Sequence, residues 1–229
     1  MEEIVQYELL LPSEFEKRIA SLPLVYIPVG ALEYHSEHLA LGNDSIKMHA
    51  ICCEAARLGG GIVFPSIFFG ILEMIEYGSR YQYKANFPVT EAFFSMLINT
   101  TLSGLEKIGF KVAILATGHT PPQQSALVRE IAKAYSGHMI VYGTDDMEWG
   151  QAANYNGGDH AAKWETSILW YIRPDLVDIY KLPKDVNIPL EGVYGEDPRV
   201  SASRELGKLA YQAIANDLMK IGKGLFENL

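Results

Sequence analysis

Two runs in this chain, Leu24-Val25-Tyr26-Ile27-Pro28-Val29-Gly30 and Lys111 to Ala116 beyond its opening lysine, are apolar at consecutive positions rather than at alternate ones. A strand with one wet face alternates; a strand that does not must be covered on both faces, the situation of parallel sheets packed between helices. Around these runs, helical spacing recurs. Phe15, Ile19 and Leu22 follow Ser13 and Glu16, which have the form of a capping box, and Pro23 stops that helix. Asp44 can cap a helix running to about Leu58, with Ile46, Ala50, Ile51 and Ala55 inward and Gly59-Gly60-Gly61 as its end. Thr90 to Ile108 and Pro121 to Tyr135 read as further helices. Ile62 to Phe69 and His138 to Tyr142 read as strands, and Pro65 assigns the former to an edge or a bulge.

Strand and helix thus alternate with short connections, so the predicted class is α/β, three-layer, with a mainly parallel sheet covered by helices on both faces. Helices are also expected from Ala161 to Tyr171, ending before Pro174, and from Ser201 to Ile221, with a surface loop over Leu182 to Val200 between them. The 229 residues, 48% hydrophobic and 21% charged, suit one domain with a substantial core, and residues 1–229 are read as that single domain.

The formal net charge of −9 opposes a phosphate backbone, and no dense Lys/Arg run offsets it, so nucleic acid is excluded as a partner. No apolar stretch has the length of a membrane span, and the acidic Met-Glu-Glu start lacks the form of a secretory signal. The two cysteines, Cys52 and Cys53, are neighbours on a predicted helix and poorly placed to bridge. They read as buried thiols in a reducing, cytoplasmic compartment.

Chemistry-bearing residues gather in three segments. The first is Gly30 to Asp44, past the end of the first buried strand, where Glu33 and His35 lie two apart and in extended chain point to the same side, with Asp44 at a helix start. Carboxylate and imidazole together suit zinc or manganese, and a carboxylate can bridge a pair of ions. Polar residues after a strand are also commonly just solvated, and Glu-x-His spacing alone does not separate the two. The second segment delivers His119 from the Lys111 strand into the loop before a helix, and ligands of open α/β sheets collect beyond the carboxyl ends of strands. A His that caps the next helix would look the same. In the third, Gly157 to Ser167, His160 and Glu165 are five apart, so one falls before the helix and the other on its first turns. A favourable charge at a helix N-terminus is the competing reading of Glu165.

Taken together the segments resemble the creatininase (creatinine amidohydrolase) family. Its first motif, G-A-x-E-x-H-x-x-H-L-P-L-G-x-D, is matched by Gly30, Ala31, Glu33, His35, His38, Leu39, Leu41, Gly42 and Asp44. Of its N-G-H-G-G-N motif only Gly118 and His119 remain, with Thr120, Pro121 and Pro122 following. Its D-H-A-G-x-x-E-T-S motif is matched by Asp159, His160, Ala161, Glu165, Thr166 and Ser167, with Ala162 for the glycine and Lys163 where many relatives are acidic, and Phe87-Pro88-Val89-Thr90 echoes F-P-G-T.

The resemblance implies a layered α/β fold, one or two divalent ions (Zn or Mn, with Fe as a further candidate), hydrolysis of a C–N bond in a small cyclic or linear amide by a metal-activated water, and homo-oligomers, commonly hexamers. Carried over, Glu33, His35, Asp44, His119 and Glu165 are the metal ligands, and His160 and Glu165 the candidate catalytic groups. Asp44 would bridge, Glu33 and His119 would complete one ion, and His35 and Glu165 the other. Two further readings use the same residues: a descendant that binds a small ligand or metal without turnover, and a hydrolase of a lactone or sugar-derived ring. The aromatic stretch Tyr77 to Phe87, with Tyr81 and Tyr83, is an expected oligomer contact.

Overall fold

The computed structural model describes residues 3–71 and 85–227. Tyr81, Tyr83 and most of the Tyr77 to Phe87 stretch lie outside the described residues. Four parallel strands form one sheet in the order β2-β1-β3-β4: β1 (Leu24–Val29), β2 (Ile62–Val63), β3 (Val112–Thr117) and β4 (Ile140–Asp145). The two central strands are buried along their whole length, as their unbroken apolar runs require. Leu24, Tyr26, Val112 and Ile114 face one core, with α2 (Asn43–Gly59), α5 (Lys163–Ile172) and α7 (Arg204–Glu227). Val25, Ile27, Ala113 and Leu115 face the other, with α3 (Glu91–Ile108) and α4 (Pro122–Ala134). The result is three layers, helices on sheet on helices. The described residues also form α1 (Pro12–Ser21) and α6 (Pro198–Ser201).

The strand order reverses at β1. The chain leaves β1 through α2 on one face to reach β2, and leaves β3 through α4 on the opposite face to reach β4. Connections that part to opposite faces open a crevice outside the carboxyl ends of the two strands between them. The loops after Val29 and Thr117 both empty into that crevice.

Several boundaries differ from the sequence reading. The first helix starts at Pro12 with Leu11 before it, and Glu14, not Glu16, reaches back to accept the Leu11 N–H at 3.1 Å. The Ile62 to Phe69 strand shrinks to Ile62–Val63, with a single bridge from Ile67 to Val29, because Pro65 removes a donor and turns the chain. That early end also explains how Pro28 sits in a central strand. The carbonyls of Tyr26 and Pro28 point toward the β2 side, so the missing Pro28 N–H falls where regular pairing has already ceased. Helix α5 begins at Lys163, two residues late, and Ser201 closes α6 while α7 starts at Arg204.

The cap of α2 is a correction with consequences. Gly42, not Asp44, stands before the helix, and Asp44 is the second helical residue, its side chain turned to the crevice. Gly30 lets this happen: a Cβ there would lie 2.3 Å from the Ser45 nitrogen, so only glycine admits the start of α2 so close to β1. Gly118 does the same for β3, where a Cβ would meet the Asp44 carbonyl at 2.5 Å.

Candidate metal centre

Glu33, His35, Asp44, His119 and Glu165 converge in the crevice, all 5% exposed or less, from four different parts of the chain. Glu33 and His35 leave the loop after β1, a short coil that turns at Ser36 with φ of 56°. Asp44 comes from the first turn of α2, His119 from the loop after β3, and Glu165 from the first turn of α5. Asp44 stands between the others. Its Oδ1 lies 2.9 Å from His35 Nε2, and its Oδ2 lies 3.1 Å from His119 Nδ1. Glu33 Oε1 is 2.9 Å from His119 Nδ1, and Glu165 Oε2 is 3.4 Å from His35 Nε2. Two donor groups capable of holding a cation therefore share Asp44, one with Glu33 and His119 and the other with His35 and Glu165.

Both histidines are oriented by backbone carbonyls. His35 Nδ1 donates to the Glu33 carbonyl at 3.2 Å, and His119 Nε2 donates to the Ile71 carbonyl at 3.0 Å. Each ring thereby turns its other nitrogen toward carboxylates, the arrangement in which an imidazole lone pair meets a metal. The electrostatics agree. Burial pushes His35 down, but Asp44 and Glu165 outweigh it and lift it to about 10. Burial likewise opposes, and Glu33 and Asp44 overcome, to hold His119 well above its usual range. Burial raises Asp44 and Glu33, yet the facing histidines bring Asp44 well below, and Glu33 below, the ordinary carboxylate range. Three buried carboxylates facing two imidazoles gather negative charge away from water, and this donor set fits divalent cations.

His160 precedes α5 and Glu165 falls in its first turn, as their spacing required. The His160 ring stacks on His35 with centroids 4.4 Å apart, its Nε2 donates to the Tyr34 carbonyl at 2.9 Å, and its Nδ1 lies 3.8 Å from Glu33 Oε1. His38 stands behind this layer, its Nε2 2.9 Å from Thr166 Oγ1, and burial with the neighbouring His35 pushes it down to about 4. A small cleft of about 30 Å³ reaches the centre, lined by Glu33, Asp44, His119, Pro121, Asp159, His160 and Glu165.

Three contributors were not singled out from the sequence. Lys47 is buried one helical turn after Asp44, with Nζ 3.0 Å from Glu165 Oε1 and 2.9 Å from Asp146 Oδ2. The i, i+3 spacing from Asp44 was the available signal. Asp146 follows β4 directly, in the same position relative to its strand as the other site loops. Gln124 accepts from the Ile71 N–H at 2.8 Å and donates to Thr117 Oγ1 at 3.0 Å, tying the His119 loop to the segment that orients the ring. Asp159, counted as part of a motif but given no role, caps α5 by accepting from the Trp164 and Glu165 N–H groups at 2.7 and 3.3 Å. Burial and the nearby Glu165 raise it to about 7.

Comparison with known proteins gives the family and the fold. A creatinine amidohydrolase of Pseudomonas putida is 24% identical over 86% of this chain and 87% of its own length. A manganese form of creatininase superposes with a TM-score of 0.80 at 22% identity, covering 98% of this chain and 99% of that one. A creatininase variant complexed with creatine gives a TM-score of 0.79 at 22% identity over the same shares. The family model described as creatinine amidohydrolase matches residues 9–221, and the chain belongs to the creatininase family.

Proposed function

We propose that this protein is a metal-dependent amidohydrolase that cleaves a non-peptide C–N bond in a small cyclic or linear amide. The observation that carries the reading is the division of Asp44 between two buried donor groups, Glu33 with His119 and His35 with Glu165, at the crevice where the strand order reverses. Manganese in one related structure and creatine in another support it. The ligands would be Glu33, His35, Asp44, His119 and Glu165, and mixed nitrogen and oxygen donors suit zinc as well as manganese. When bound, such ions supply Lewis acidity, polarising a carbonyl and bringing the pKa of a water from about 15.7 toward about 7.

The chain's own residues do the rest. With Nε2 committed to the Tyr34 carbonyl, His160 keeps Nδ1 turned to the centre, where it takes a proton from the attacking water and returns it to the leaving nitrogen. Glu165 is less suited to carry that proton, because Lys47 occupies Oε1 and the Ala161 N–H, at 2.7 Å, occupies Oε2. Pro121 stiffens one wall of the cleft, so the accepted amide is small and is selected by shape there.

A homo-oligomer and a reducing, cytoplasmic setting belong to the same proposal. The exposed Phe87 before α3 and Phe93 and Met96 within it support the first, and the buried free thiols Cys52 and Cys53 accord with the second. Among the described residues no helix is long and apolar enough to cross a membrane. The activity is tested by assaying small amides, lactams and lactones with protein loaded with Mn²⁺ or Zn²⁺. Hydrolysis of an amide or lactam is the expected result. Turnover of lactones alone would move the assignment to ester rings, and metal binding with no turnover across the panel would leave a binding protein.

A further inference from the structure

Lys47 is a buried charge to which the proposed chemistry gives no step of its own. Lys47 is 2% exposed, and its ammonium lies between Asp146 Oδ2 at 2.9 Å and Glu165 Oε1 at 3.0 Å. It joins three elements at the back of the centre: α2 one turn after Asp44, the residue after β4, and the first turn of α5. Burying an ammonium costs its hydration, and an apolar side chain of similar length would commonly hold such a place as stably. The pairing is better understood by what it does to Glu165.

A free carboxylate rotates and can offer either oxygen, or both, to a cation. Glu165 cannot do so without giving up Lys47. Its Oε1 is held at the back by the ammonium, and its Oε2 is steered forward by the Ala161 N–H at 2.7 Å, to stand 3.4 Å from His35 Nε2. Glu33 is held differently, its Oε1 being met by His119 at 2.9 Å and by His160 at 3.8 Å, both within the centre.

We propose that Lys47 is a positioning residue whose ammonium, clamped between Asp146 and Glu165, fixes Glu165 so that a single oxygen is offered to the donor group formed with His35 and Asp44. Asp146 supplies the counter-charge that anchors the clamp. The two cation groups are then unequal by construction, and losing the clamp affects the His35 side. This rests on the two-cation reading given above.

The pair of substitutions Lys47→Met and Asp146→Asn removes one positive and one negative charge together, so a change in cation affinity reports position rather than net charge. Mn²⁺ titration of the full chain, followed by electron paramagnetic resonance of the free ion, is the measurement, with circular dichroism to establish folding. Wild-type protein is expected to take up two equivalents. In the double variant one equivalent should bind as before and the other about 10–100-fold more weakly, the range for a residue that orients a ligand. Unchanged affinity for both equivalents would overturn the proposal, and so would equal weakening of both. If the double variant does not fold, Lys47→Gln gives the decision. It removes a positive charge, so electrostatics alone would tighten both equivalents; selective weakening of one supports the clamp, and tightening of both refutes it. Wild-type protein that binds no Mn²⁺ would overturn the two-cation reading and the clamp with it, whereas two equivalents bound with the same affinities in wild type and variant would overturn the clamp alone.

Discussion

His160 and Tyr194 hold each other by reciprocal backbone hydrogen bonds, each N–H donating to the other's carbonyl at 2.8 Å. Tyr194 belongs to the long loop between α5 and α6, so this pair fastens the loop to the segment that presents His160. The loop has its own staple. The Arg199 guanidinium donates to the carbonyls of Pro183, Asp185, Val186 and Ile188 and pairs with Asp197. Arg199→Ala is therefore expected to speed amide hydrogen exchange and proteolysis across residues 183–200 and at His160, while the sheet stays protected. Unchanged exchange in that loop would show that the staple is dispensable.

His160 touches the cleft but is oriented by Tyr34 rather than held by Asp44. His160→Ala is expected to lower kcat by about 10²–10⁴-fold while Mn²⁺ stoichiometry is kept, the pattern of a lost proton carrier. Loss of a Mn²⁺ equivalent in this variant would place His160 among the ligands.

Asp44 is 1% exposed and does not cap α2, so Asp44→Asn is no neutral exchange of one cap for another. The carboxamide brings no negative charge between His35 and His119, and it turns a donor toward one of them. Urea denaturation of the metal-free variant should show a loss of about 1–3 kcal/mol. Mn²⁺ binding should fall at both equivalents, because both groups share this residue. Weakening at one equivalent alone would show that Asp44 is not shared.

The buried histidines shape the alkaline side of the pH dependence of the metal-free protein. His35 rises from 6.5 to about 10, so its contribution to stability is complete below pH 6.5 and is lost as pH climbs through 10. His119 is shifted in the same direction. His38 moves the other way, from 6.5 to about 4, so stability falls as pH drops through that interval. The melting temperature with chelator should therefore peak near neutrality and decline on the alkaline side. Added Mn²⁺ replaces the bound protons and should flatten the alkaline decline. A chelated protein that grows more stable from pH 7 to 10 would refute the protonated pair.

The layers and the edge at which the candidate site lies follow from the pattern of apolar residues alone. The apolar runs read over Leu24 to Val29 and within Lys111 to Ala116 can be satisfied only by burial on both faces, and polar residues just past such strands can only emerge at the carboxyl edge. Glu33, His35 and His119 were legible for that reason, whereas His160 and Glu165, at the start of a helix, joined them only through the order of the family motifs. Other features depend on how the elements pack. Asp44 has the chemistry of an N-cap, but the close approach of α2 to Gly30 and Gly118 puts it inside the helix and its carboxylate between two imidazoles. Lys47 and Asp146 are 99 positions apart in the sequence and 2.9 Å apart in space, each unremarkable on its own element. Charge pairing of that kind depends on distance across the fold, which chain order does not encode. An N-cap, by contrast, is a matter of three or four adjacent residues, and even there the packing of α2 against the strand ends overrode the local preference.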